Sequence, residues 1–367
     1  MSFAVTVIGG TGVFGRYIVN ELASSPLDFS IRVTGRRAEE FDRHFPKPSR
    51  LLYFEKLDLQ DRPALEKILQ ETDLVILAAG PFQDFSPQLP LMAAERGVHY
   101  LDICDDPLYL SELLRHRENL AQARSVILSG LSSLPGISIP LAERIAPQFD
   151  VIHDIDIGLF IGNKNQKGRG AVFSALRNLH RPVHFIRNGK RQAIPPWSYP
   201  VAYSYPAPIG PLCSYSFASP DSLLFPRYYR FDNLSVRVGF EWAPVRWSFS
   251  LFKKLIERGR GSWVEKAVDL LFPFFSLSHR IGSELGCVSV TMTGLKQGKF
   301  RRIRASLLGD KPGQRMASLP CVIAAEALAR GEIHGRGLLD LNQWMPPEQF
   351  FQRLEERNMR LLVEEQA

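Results

Sequence analysis

Residues 4–15 read AVTVIGGTGVFG, and their pattern is the strongest indication of the fold. Its first five residues, Ala4–Ile8, form a short β-branched apolar run that predicts a buried strand. Gly10, Gly12 and Gly15 then fit the spacing G-x-G-x-x-G, and a helical pattern begins directly afterwards. A strand, a glycine-rich turn and a helix in this order are typical of a βαβ unit that binds a dinucleotide.

Each glycine of the motif has an expected role. Gly10 would permit the tight turn, Gly12 would let the backbone approach a pyrophosphate, and Gly15 would allow the helix to pack closely on the strand. The N-terminus of the helix would supply N–H donors and a partial positive charge. The alternative is a glycine-rich turn without a ligand. The residues predicted to hold the pyrophosphate are Gly10, Thr11, Gly12, Val13, Phe14 and Gly15.

The end of the second predicted strand helps to choose the cofactor. Ile31–Thr34 reads as a strand, and Gly35, Arg36 and Arg37 follow it. A site for NAD usually has an Asp or Glu at this place, which accepts hydrogen bonds from the ribose hydroxyls. Two guanidinium groups suit the 2′-phosphate of NADP instead, so the sequence favours NADP(H). The alternative is a pair of solvated arginines at the end of a strand.

Strands and helices continue to alternate along the first part of the chain. Further strands are predicted at Leu51–Phe54, Asp73–Ala79, His99–Ile103 and Ser125–Gly130. This alternation predicts an α/β fold with a Rossmann-type doubly wound parallel sheet. Ligands of such sheets bind beyond the carboxyl ends of the strands.

Two groups of residues lie where these strands end. Asp58 and Leu59 follow the third strand and are expected to border the adenine, whereas Asp61 is explained equally well as a helix N-cap. The small residues after the fourth strand leave room for the nicotinamide half of the cofactor, although a simple turn would use them too. The cofactor-binding residues predicted here are Asp58, Leu59, Ala79, Gly80, Pro81 and Phe82.

The composition is that of an ordinary globular chain. With 367 residues, of which 45% are hydrophobic and 23% charged, the chain is long enough for two domains with separate cores. The net charge of +7 suits an anionic cofactor, an anionic substrate or a membrane surface and selects none of them. The basic residues are spread along the chain without a nucleic-acid-binding motif, which disfavours nucleic acid as a partner.

The spacing of cysteines and histidines argues against disulfide and metal chemistry. The four cysteines are far apart and form no C-x-x-C pair, which fits a reducing compartment and predicts a cytoplasmic protein. The histidines show no metal-ligand spacing, so no metal site is predicted. The chain enters its first strand at once, so no signal peptide is expected. The uncharged stretch 192–220 has too many prolines for a transmembrane helix.

Five segments carry a family resemblance: GGTGVFG at 9–15, GRR at 35–37, AAGPF at 78–82, GVHYLD at 97–102 and LPG at 134–136. Together they resemble the saccharopine dehydrogenase-like oxidoreductases, specifically the glutamate-forming saccharopine reductase branch. AAGPF and HYLD are the more discriminating motifs, because many families share the glycine motif. The resemblance covers residues 1–140 and extends to the tail, where a helix from Leu319 to Ala329 and the PPE at 346–348 are similar to the family's closing segment.

The resemblance implies a division into domains. Residues 1–140 would form a dinucleotide-binding Rossmann domain, rejoined by C-terminal helices within 318–367. Residues 141–317 would form an inserted mixed α/β (α+β) domain for substrate binding and dimerisation. Hydride transfer would take place in a cleft between the two domains.

The resemblance also implies candidate catalytic residues. Tyr100 and Asp102 stand where the family lines the cofactor and substrate cleft. The family often continues this motif with Gly-Glu, whereas Asp105 and Asp106 stand here. Asp106 is the candidate replacement for the glutamate, with a shorter side chain.

The middle of the chain has less specific patterns. Asp154–Phe160 and 303–307 alternate polar and apolar residues, which predicts strands of an open sheet with one exposed face. Pro195–Pro226 is rich in proline and aromatic residues and is predicted to be irregular, either a lid or binding surface or a packed insertion. Phe249–Ile281 is aromatic and basic. It is interpreted as a core or dimer-interface helix, or as a hydrophobic substrate pocket or an interfacial membrane contact.

The sequence therefore predicts an NADP(H)-dependent oxidoreductase of the saccharopine dehydrogenase-like type. It would transfer a hydride to or from a carbonyl, imine or activated alkene carbon of a small-molecule substrate. The chain has no Tyr-x-x-x-Lys, His-Glu-x-x-His or Gly-x-Ser-x-Gly motif, so the hydride chemistry would belong to the cofactor. The alternative is a non-catalytic NADP(H)-binding sensor or scaffold. A homodimer is expected in either case.

Overall fold

The computed structural model describes residues 2–45, 47, 51–166, 168–259, 281–310 and 312–366. The chain divides into two compact units. The first unit comprises Met1–Ser132 and Ala317–Met345, and the second comprises Ser133–Met316 and Pro346–Ala367.

The first unit contains a parallel sheet, which has seven strands within the described residues. The strands are β1 (Phe3–Ile8), β2 (Phe29–Gly35), β3 (Leu52–Lys56), β4 (Leu74–Leu77), β5 (His99–Asp102), β6 (Val126–Leu128) and β15 (Gly337–Leu338). Their spatial order is β15-β6-β5-β4-β1-β2-β3. The helices of this unit are α1 (Val13–Ala23), α2 (Ala38–His44), α3 (Arg62–Gln70), α4 (Gln88–Arg96), α5 (Pro107–Arg115), α6 (Arg117–Leu120) and α11 (Leu319–Ala329).

Local sequence signals explain where several of these helices begin and end. The Asp61 side chain accepts a hydrogen bond from the Ala64 N–H at the start of α3, so Asp61 is the helix N-cap. The Asp106 side chain accepts from the Leu108 and Tyr109 N–H groups at the start of α5. Gly97 ends α4 in the left-handed conformation, which glycine adopts without strain. The strand order and these helices confirm the Rossmann-type fold.

Two elements complete the first unit from far along the chain. Helix α11 is apolar all round, is buried from Leu319 to Leu328, and packs against α1 and β5. Its one buried carboxylate, Glu326, accepts a hydrogen bond from the Ser25 hydroxyl at 2.8 Å. Strand β15 pairs in parallel with β6. The sequence did not predict β15, because two residues are too few to form a strand pattern.

The second unit contains a mixed sheet, which has nine strands within the described residues. Strands β10, β11, β12, β7, β13, β14 and β16 follow one another in space, and the hairpin β8–β9 joins at β12. Their ranges are β7 (Val151–Ile161), β8 (Val183–Arg187), β9 (Lys190–Ile194), β10 (Val201–Ser204), β11 (Pro211–Ser216), β12 (Asn233–Phe240), β13 (Gly286–Lys296), β14 (Lys299–Gly309) and β16 (Arg360–Glu365). The helices are α7 (Ser138–Ile145), α8 (Arg169–Arg177), α9 (Asp221–Tyr228), α10 (Ala243–Glu257) and α12 (Pro347–Glu355).

The stretch Pro195–Pro226 is more regular than its composition predicts. It contains β10, β11 and most of α9, so the prediction of irregular structure was wrong. Aromatic packing fixes these elements, because the Tyr203 ring occupies the space left by the missing side chain of Gly158. A Cβ atom on Gly158 would lie 2.4 Å from that ring. The Tyr203 hydroxyl also donates to the Asp156 carbonyl oxygen at 3.0 Å.

The same stretch covers the face of the second sheet that was predicted to be exposed. Ser289, Thr291 and Arg304 lie on this face and are buried. The Arg304 guanidinium donates to the Ser204 carbonyl oxygen at 2.6 Å, so the end of β10 lies over it. The alternation correctly predicted the strands β7 and β14, but the exposed face was wrong because a neighbouring segment of the chain packs on it.

The C-terminal segment differs from the expected division into domains. Residues 318–345 rejoin the first unit, whereas residues 346–367 belong to the second. Strand β16 pairs antiparallel with β14, and the Arg301 Nε atom lies 2.8 Å from Glu365 Oε1 across this pair. The tail therefore closes the second sheet.

The aromatic and basic stretch Phe249–Ile281 is only partly described. Its beginning lies on α10, where Phe249 and Phe252 are buried in a hydrophobic cluster with Trp197 and Val238. This placement agrees with the interpretation as a core helix. Residues 260–280, which include Trp263 and Pro273, lie outside the described residues.

Candidate functional site

The glycine-rich turn lies at the carboxyl end of the first sheet, where the strand order reverses between β1 and β4. Gly9 has a φ of +79°, and its N–H donates to the Thr34 carbonyl oxygen at 3.0 Å. A Cβ atom on Gly9 would lie 2.6 Å from the backbone nitrogen of Ala79. The tight turn therefore requires glycine at position 9, and its assignment to Gly10 was wrong.

Gly10 and Gly15 serve close packing. A Cβ atom on Gly10 would lie 2.8 Å from the Val33 Cγ1 atom, and one on Gly15 would lie 2.2 Å from the Gly9 carbonyl oxygen. No side chain fits at position 15 without moving backbone atoms. Gly15 thus has the predicted role of letting α1 approach the end of β1.

The N-terminus of α1 has the features that a phosphate group needs. Gly12 is the N-cap residue, its N–H donates to the Gly9 carbonyl oxygen at 2.9 Å, and no side chain caps the helix. The first-turn N–H groups, from Val13 onwards, are therefore available to an external acceptor. A Cβ atom on Gly12 would meet only the Gly9 carbonyl oxygen, at 3.2 Å. The backbone is thus open to a ligand at this position.

Arg36 and Arg37 follow β2, and both side chains are exposed. They differ in their partners. Arg37 forms an ion pair with Glu40, three residues later on α2. Arg36 has no ion-pair or hydrogen-bond partner within the described part of the chain. Arg36 is therefore the arginine whose charge is available to an external anion.

The residues expected around the nicotinamide follow β4 directly. Ala79 lies against the backbone of Gly9, so the two loops meet at the switch point of the sheet. Phe82 is buried, and its ring packs edge-on against Tyr109 with 5.3 Å between the centroids. Gly80 is exposed and Pro81 is half-buried. The loop therefore presents small residues to solvent, and the contact between the Phe82 and Tyr109 rings fixes its buried side.

The residues expected around the adenine follow β3, two strands away from β1. Asp58 is exposed, and its carboxylate accepts a hydrogen bond from the Gln60 N–H at 3.0 Å. Leu59 is half-buried. Their place at the carboxyl edge is compatible with the predicted role.

Tyr100 and Asp102 are completely buried on β5. Asp102 Oδ2 accepts hydrogen bonds from the Tyr100 hydroxyl at 2.9 Å and from the Ser129 hydroxyl at 2.8 Å. Asp102 Oδ1 accepts from the Cys104 N–H at 2.9 Å and the Gly130 N–H at 2.7 Å. Asp102 thus ties the end of β5 to the segment that follows β6.

Burial governs the ionisation of this network. Burial raises the pKa of the Asp102 carboxyl, although the Gly130 and Cys104 N–H groups and the two hydroxyls act in the opposite direction. Burial, together with the neighbouring Asp102, raises the pKa of Tyr100 well above its ordinary value. Tyr100 is therefore a neutral donor, and the geometry suits a structural network better than direct contact with a ligand.

Sequence reasoning missed two members of this network. The Tyr109 hydroxyl lies 3.0 Å from that of Tyr100, and its ring contacts Phe82. Ser129 donates to Asp102. Asp106 holds Tyr109 in place by capping α5. Its role as a replacement for the family's glutamate stays a prediction. Only the pattern Asp106-Pro107, a helix start, could have indicated Tyr109.

No helix within the described ranges is both long and apolar enough to cross a bilayer. Nor do they contain a group of three or more His, Cys, Asp or Glu side chains arranged for a metal ion. The four cysteines are free.

The first unit matches a known family. Residues 5–128 match the family model of the saccharopine dehydrogenase NADP-binding domain. A probable mitochondrial saccharopine dehydrogenase-like oxidoreductase of Arabidopsis thaliana is 25% identical over an alignment 150 residues long, which covers 36% of this chain and 33% of that protein. A saccharopine dehydrogenase-like oxidoreductase of Rattus norvegicus is 24% identical over 36% of this chain and 35% of its own. The chain thus aligns with about a third of these relatives, and the sequence resemblance is confirmed.

Solved structures extend the likeness of fold to the whole chain. Apo saccharopine dehydrogenase (L-Glu forming) from Saccharomyces cerevisiae has a TM-score of 0.70 with 14% identity, and the match covers 100% of both chains. Homospermidine synthase from Legionella pneumophila, solved with NAD, has a TM-score of 0.67 with 9% identity, over 99% of this chain and 91% of its own. At these identities the matches show the fold alone.

Proposed function

We propose that this chain is an NADP(H)-dependent oxidoreductase that transfers a hydride to or from a carbonyl, imine or activated alkene carbon. The observation that carries the proposal is the open glycine-rich turn of Gly9–Gly15, which exposes the uncapped N-terminus of α1 at the switch point of the sheet. The family match of residues 5–128 supports the same cofactor class.

The described residues fit such a cofactor. The backbone from Gly10 to Gly15 would hold the pyrophosphate, because the first-turn N–H groups of α1 have no side-chain cap. Asp58 and Leu59 would border the adenine, and Ala79 to Phe82 would border the nicotinamide. When bound, the nicotinamide supplies the hydride chemistry.

Tyr100 and Asp102 then act as positioning residues in our proposal. Asp102 joins the ends of β5 and β6 and accepts a hydrogen bond from the Tyr100 hydroxyl. The Tyr100 hydroxyl also hydrogen-bonds to that of Tyr109, whose ring packs against Phe82. This network would fix the position of the Gly80–Phe82 loop relative to the glycine-rich turn. A proton donor for the reaction has to come from another residue or from the substrate.

The preference for NADP(H) over NAD(H) is assigned to Arg36. Its guanidinium is exposed and free of partners within the described chain, whereas Arg37 is paired with Glu40. Replacing Arg36 by Ala is expected to weaken NADPH binding by about 10- to 100-fold, the usual range for losing a hydrogen bond to a charged group. NADH binding is expected to stay the same, because NADH has no 2′-phosphate.

The test is a titration of the full chain with NADPH and NADH, read by nicotinamide fluorescence. Arg37→Ala is the matched control and is expected to change NADPH binding by less than about threefold, since its side chain is already paired. Equal weakening by both variants would reject the assignment to Arg36 alone. Preferential binding of NADH would reject the NADP(H) preference, and binding of neither nucleotide would reject the cofactor site.

The second unit would carry the substrate determinants and the contacts of a homodimer. The proposed substrate is a small molecule with a carbonyl, imine or activated alkene group. A screen of such compounds for NADPH oxidation tests the reaction, and NADPH binding without turnover of any of them would favour a sensor or scaffold. Light scattering tests the dimer. The proposed location is the cytoplasm, although the name of the Arabidopsis thaliana relative places that protein in the mitochondrion.

A further inference from the structure

Helix α10 has one face in the core of the second unit. Val245, Phe249 and Phe252 are buried in a cluster with Trp197 and Leu179. The Trp197 and Phe249 rings lie 4.8 Å apart between centroids. The helix is therefore held in a fixed orientation, and so is its opposite face.

The opposite face carries a stripe of four residues, which we call the α10 stripe. Trp247, Leu251, Lys254 and Arg258 are spaced by four, three and four residues, so they follow one another along a single side of the helix, and Arg258 is its C-cap residue. Trp247 is 67% exposed and Leu251 is 56% exposed. Single exposed apolar residues are common on protein surfaces, but a Trp and a Leu one turn apart on a packed helix form a patch.

The charges of the α10 stripe are all positive. Lys254 and Arg258 are exposed and have no ion-pair partner within the described residues. The nearest acidic residue on the helix, Glu257, lies off the stripe and pairs with Lys253, with 3.7 Å between Nζ and Oε1. A second copy of this chain placed on the stripe by a twofold axis would bring like charges together. An anionic surface is the better complement.

We propose that the α10 stripe binds the surface of a bilayer that contains anionic phospholipids. Trp247 and Leu251 would enter the boundary between headgroups and acyl chains, where tryptophan is favoured, and Lys254 and Arg258 would contact the phosphate groups. Two apolar side chains and two cations make a weak contact, so the binding is reversible and depends on salt. The protein is peripheral in this mode and does not cross the membrane.

The test is flotation of the full chain with vesicles of phosphatidylcholine alone and of phosphatidylcholine with phosphatidylserine. We expect binding to the vesicles that contain phosphatidylserine at low salt, and weaker binding at physiological salt. Trp247→Ser/Leu251→Ser and Lys254→Glu/Arg258→Glu are each expected to weaken it by about tenfold or more. Phe300→Ser is the matched control, because Phe300 is 66% exposed on a strand away from the stripe and its loss should leave binding unchanged.

A second readout guards against variants that fail to fold. Vesicles with phosphatidylserine should shift the tryptophan fluorescence of the wild type to shorter wavelength, and the conservative variant Trp247→Phe should lose this shift while keeping its far-ultraviolet circular dichroism. Three outcomes would overturn the proposal. They are absence of flotation at low salt, flotation that both stripe variants retain, and concentration-dependent self-association that the stripe variants abolish.

Discussion

Asp102 is the residue whose expected role differs most from its surroundings in the structure. The resemblance suggests a group that faces substrate, whereas the structure surrounds both carboxylate oxygens with hydrogen-bond donors in a fully buried site. An amide can replace the carboxylate here. Its oxygen can accept from the Cys104 and Gly130 N–H groups, and its NH2 can donate to the hydroxyls of Ser129 and Tyr100, which then rotate.

Asp102→Asn and Asp102→Ala should therefore differ sharply. We expect Asp102→Asn to lower the free energy of unfolding of the first unit by less than about 1.5 kcal/mol and to leave NADPH binding within about threefold. Asp102→Ala leaves two buried N–H groups without an acceptor and should cost about 3 kcal/mol or more. Urea unfolding and NADPH titration measure both variants. Loss of turnover in a folded, NADPH-binding Asp102→Asn variant would instead show that the carboxylate takes part in the chemistry.

Gly15 gives a second prediction for a single residue. A Cβ atom there would lie 2.2 Å from the Gly9 carbonyl oxygen, so Gly15→Ala must move backbone at the turn. We expect a loss of about 2–4 kcal/mol in the stability of the first unit. Gly80→Ala is the control, because a Cβ atom at position 80 would meet its first neighbour at 3.9 Å. Thermal unfolding followed by circular dichroism compares the two, and equal losses would contradict the packing argument.

The sequence was sufficient for the residues whose role lies in the backbone. The glycine spacing predicted α1 and the turn, and the role of permitting the tight turn had to be moved from Gly10 to Gly9. It was insufficient for Tyr109 and Ser129, which belong to the network only because α5 brings Tyr109 to Tyr100 and the end of β6 brings Ser129 to Asp102. Such contacts depend on packing between elements, and no local pattern of residue types encodes them.

At the scale of elements, a buried acid links α7 to α9 in the second unit. The Asp221 carboxylate on α9 accepts hydrogen bonds from the hydroxyls of Ser138, on α7, and Ser219. Burial raises its pKa from the ordinary 3.8 to about 6, although both hydroxyls act in the opposite direction. The folded state therefore binds this proton more tightly than the unfolded chain. The resulting stabilisation is present below about pH 4 and is lost as the pH rises through about 6.

Hydrogen exchange reports the free energy of opening α9. We expect this free energy to fall by up to about 3 kcal/mol between about pH 4 and pH 7. Asp221→Asn should remove this fall, because its amide does not titrate. Mass spectrometry of peptides that contain Asp221–Tyr228, corrected for the intrinsic exchange rate, measures it. Asp232→Asn, at a carboxylate that is 59% exposed, should leave the pH profile as in the wild type. A fall that persists in Asp221→Asn would reject the assignment.

Periodicity predicted the regular elements and failed for those that aromatic side chains determine. β7 and β14 alternate polar and apolar residues, and the sequence located both. β10 and β11 lie in a stretch of prolines, and their place depends on Tyr203 and Tyr205 packing on the sheet beside glycines. Alternation is a pattern along one strand, whereas these two strands are specified by packing between their tyrosines and glycines on other strands.

At the scale of the whole molecule, the chain passes between the two units three times. The last passage delivers α12 and β16 to the second sheet, where β16 covers the edge of β14. Truncation after Asn358 is expected to destabilise the second unit by exposing this edge, while NADPH binding by the first unit persists. Limited proteolysis and NADPH titration test both halves of the prediction.

A variant that keeps the strand separates its two contributions. Glu364→Gln/Glu365→Gln removes the ion pairs with Arg304 and Arg301 but leaves the backbone pairing of β16 intact. Glu364 and Glu365 are about half exposed, and a glutamine oxygen can still accept the arginine N–H groups, so we expect a loss of less than about 1 kcal/mol each. Proteolysis of this variant as fast as that of the truncated chain would mean that charge, and not the strand, protects the second sheet.

The burial of α11 in the first unit has a consequence for how the protein is made. The ribosome must synthesise all of residues 133–316 before α11 emerges. During that time α1 and β5 lack the helix that covers them in the folded protein. A nascent chain in this state exposes apolar surface, and chaperones bind such surfaces. Synthesis of the first unit thus begins first, but its folding can be completed only when nearly the whole polypeptide has been made.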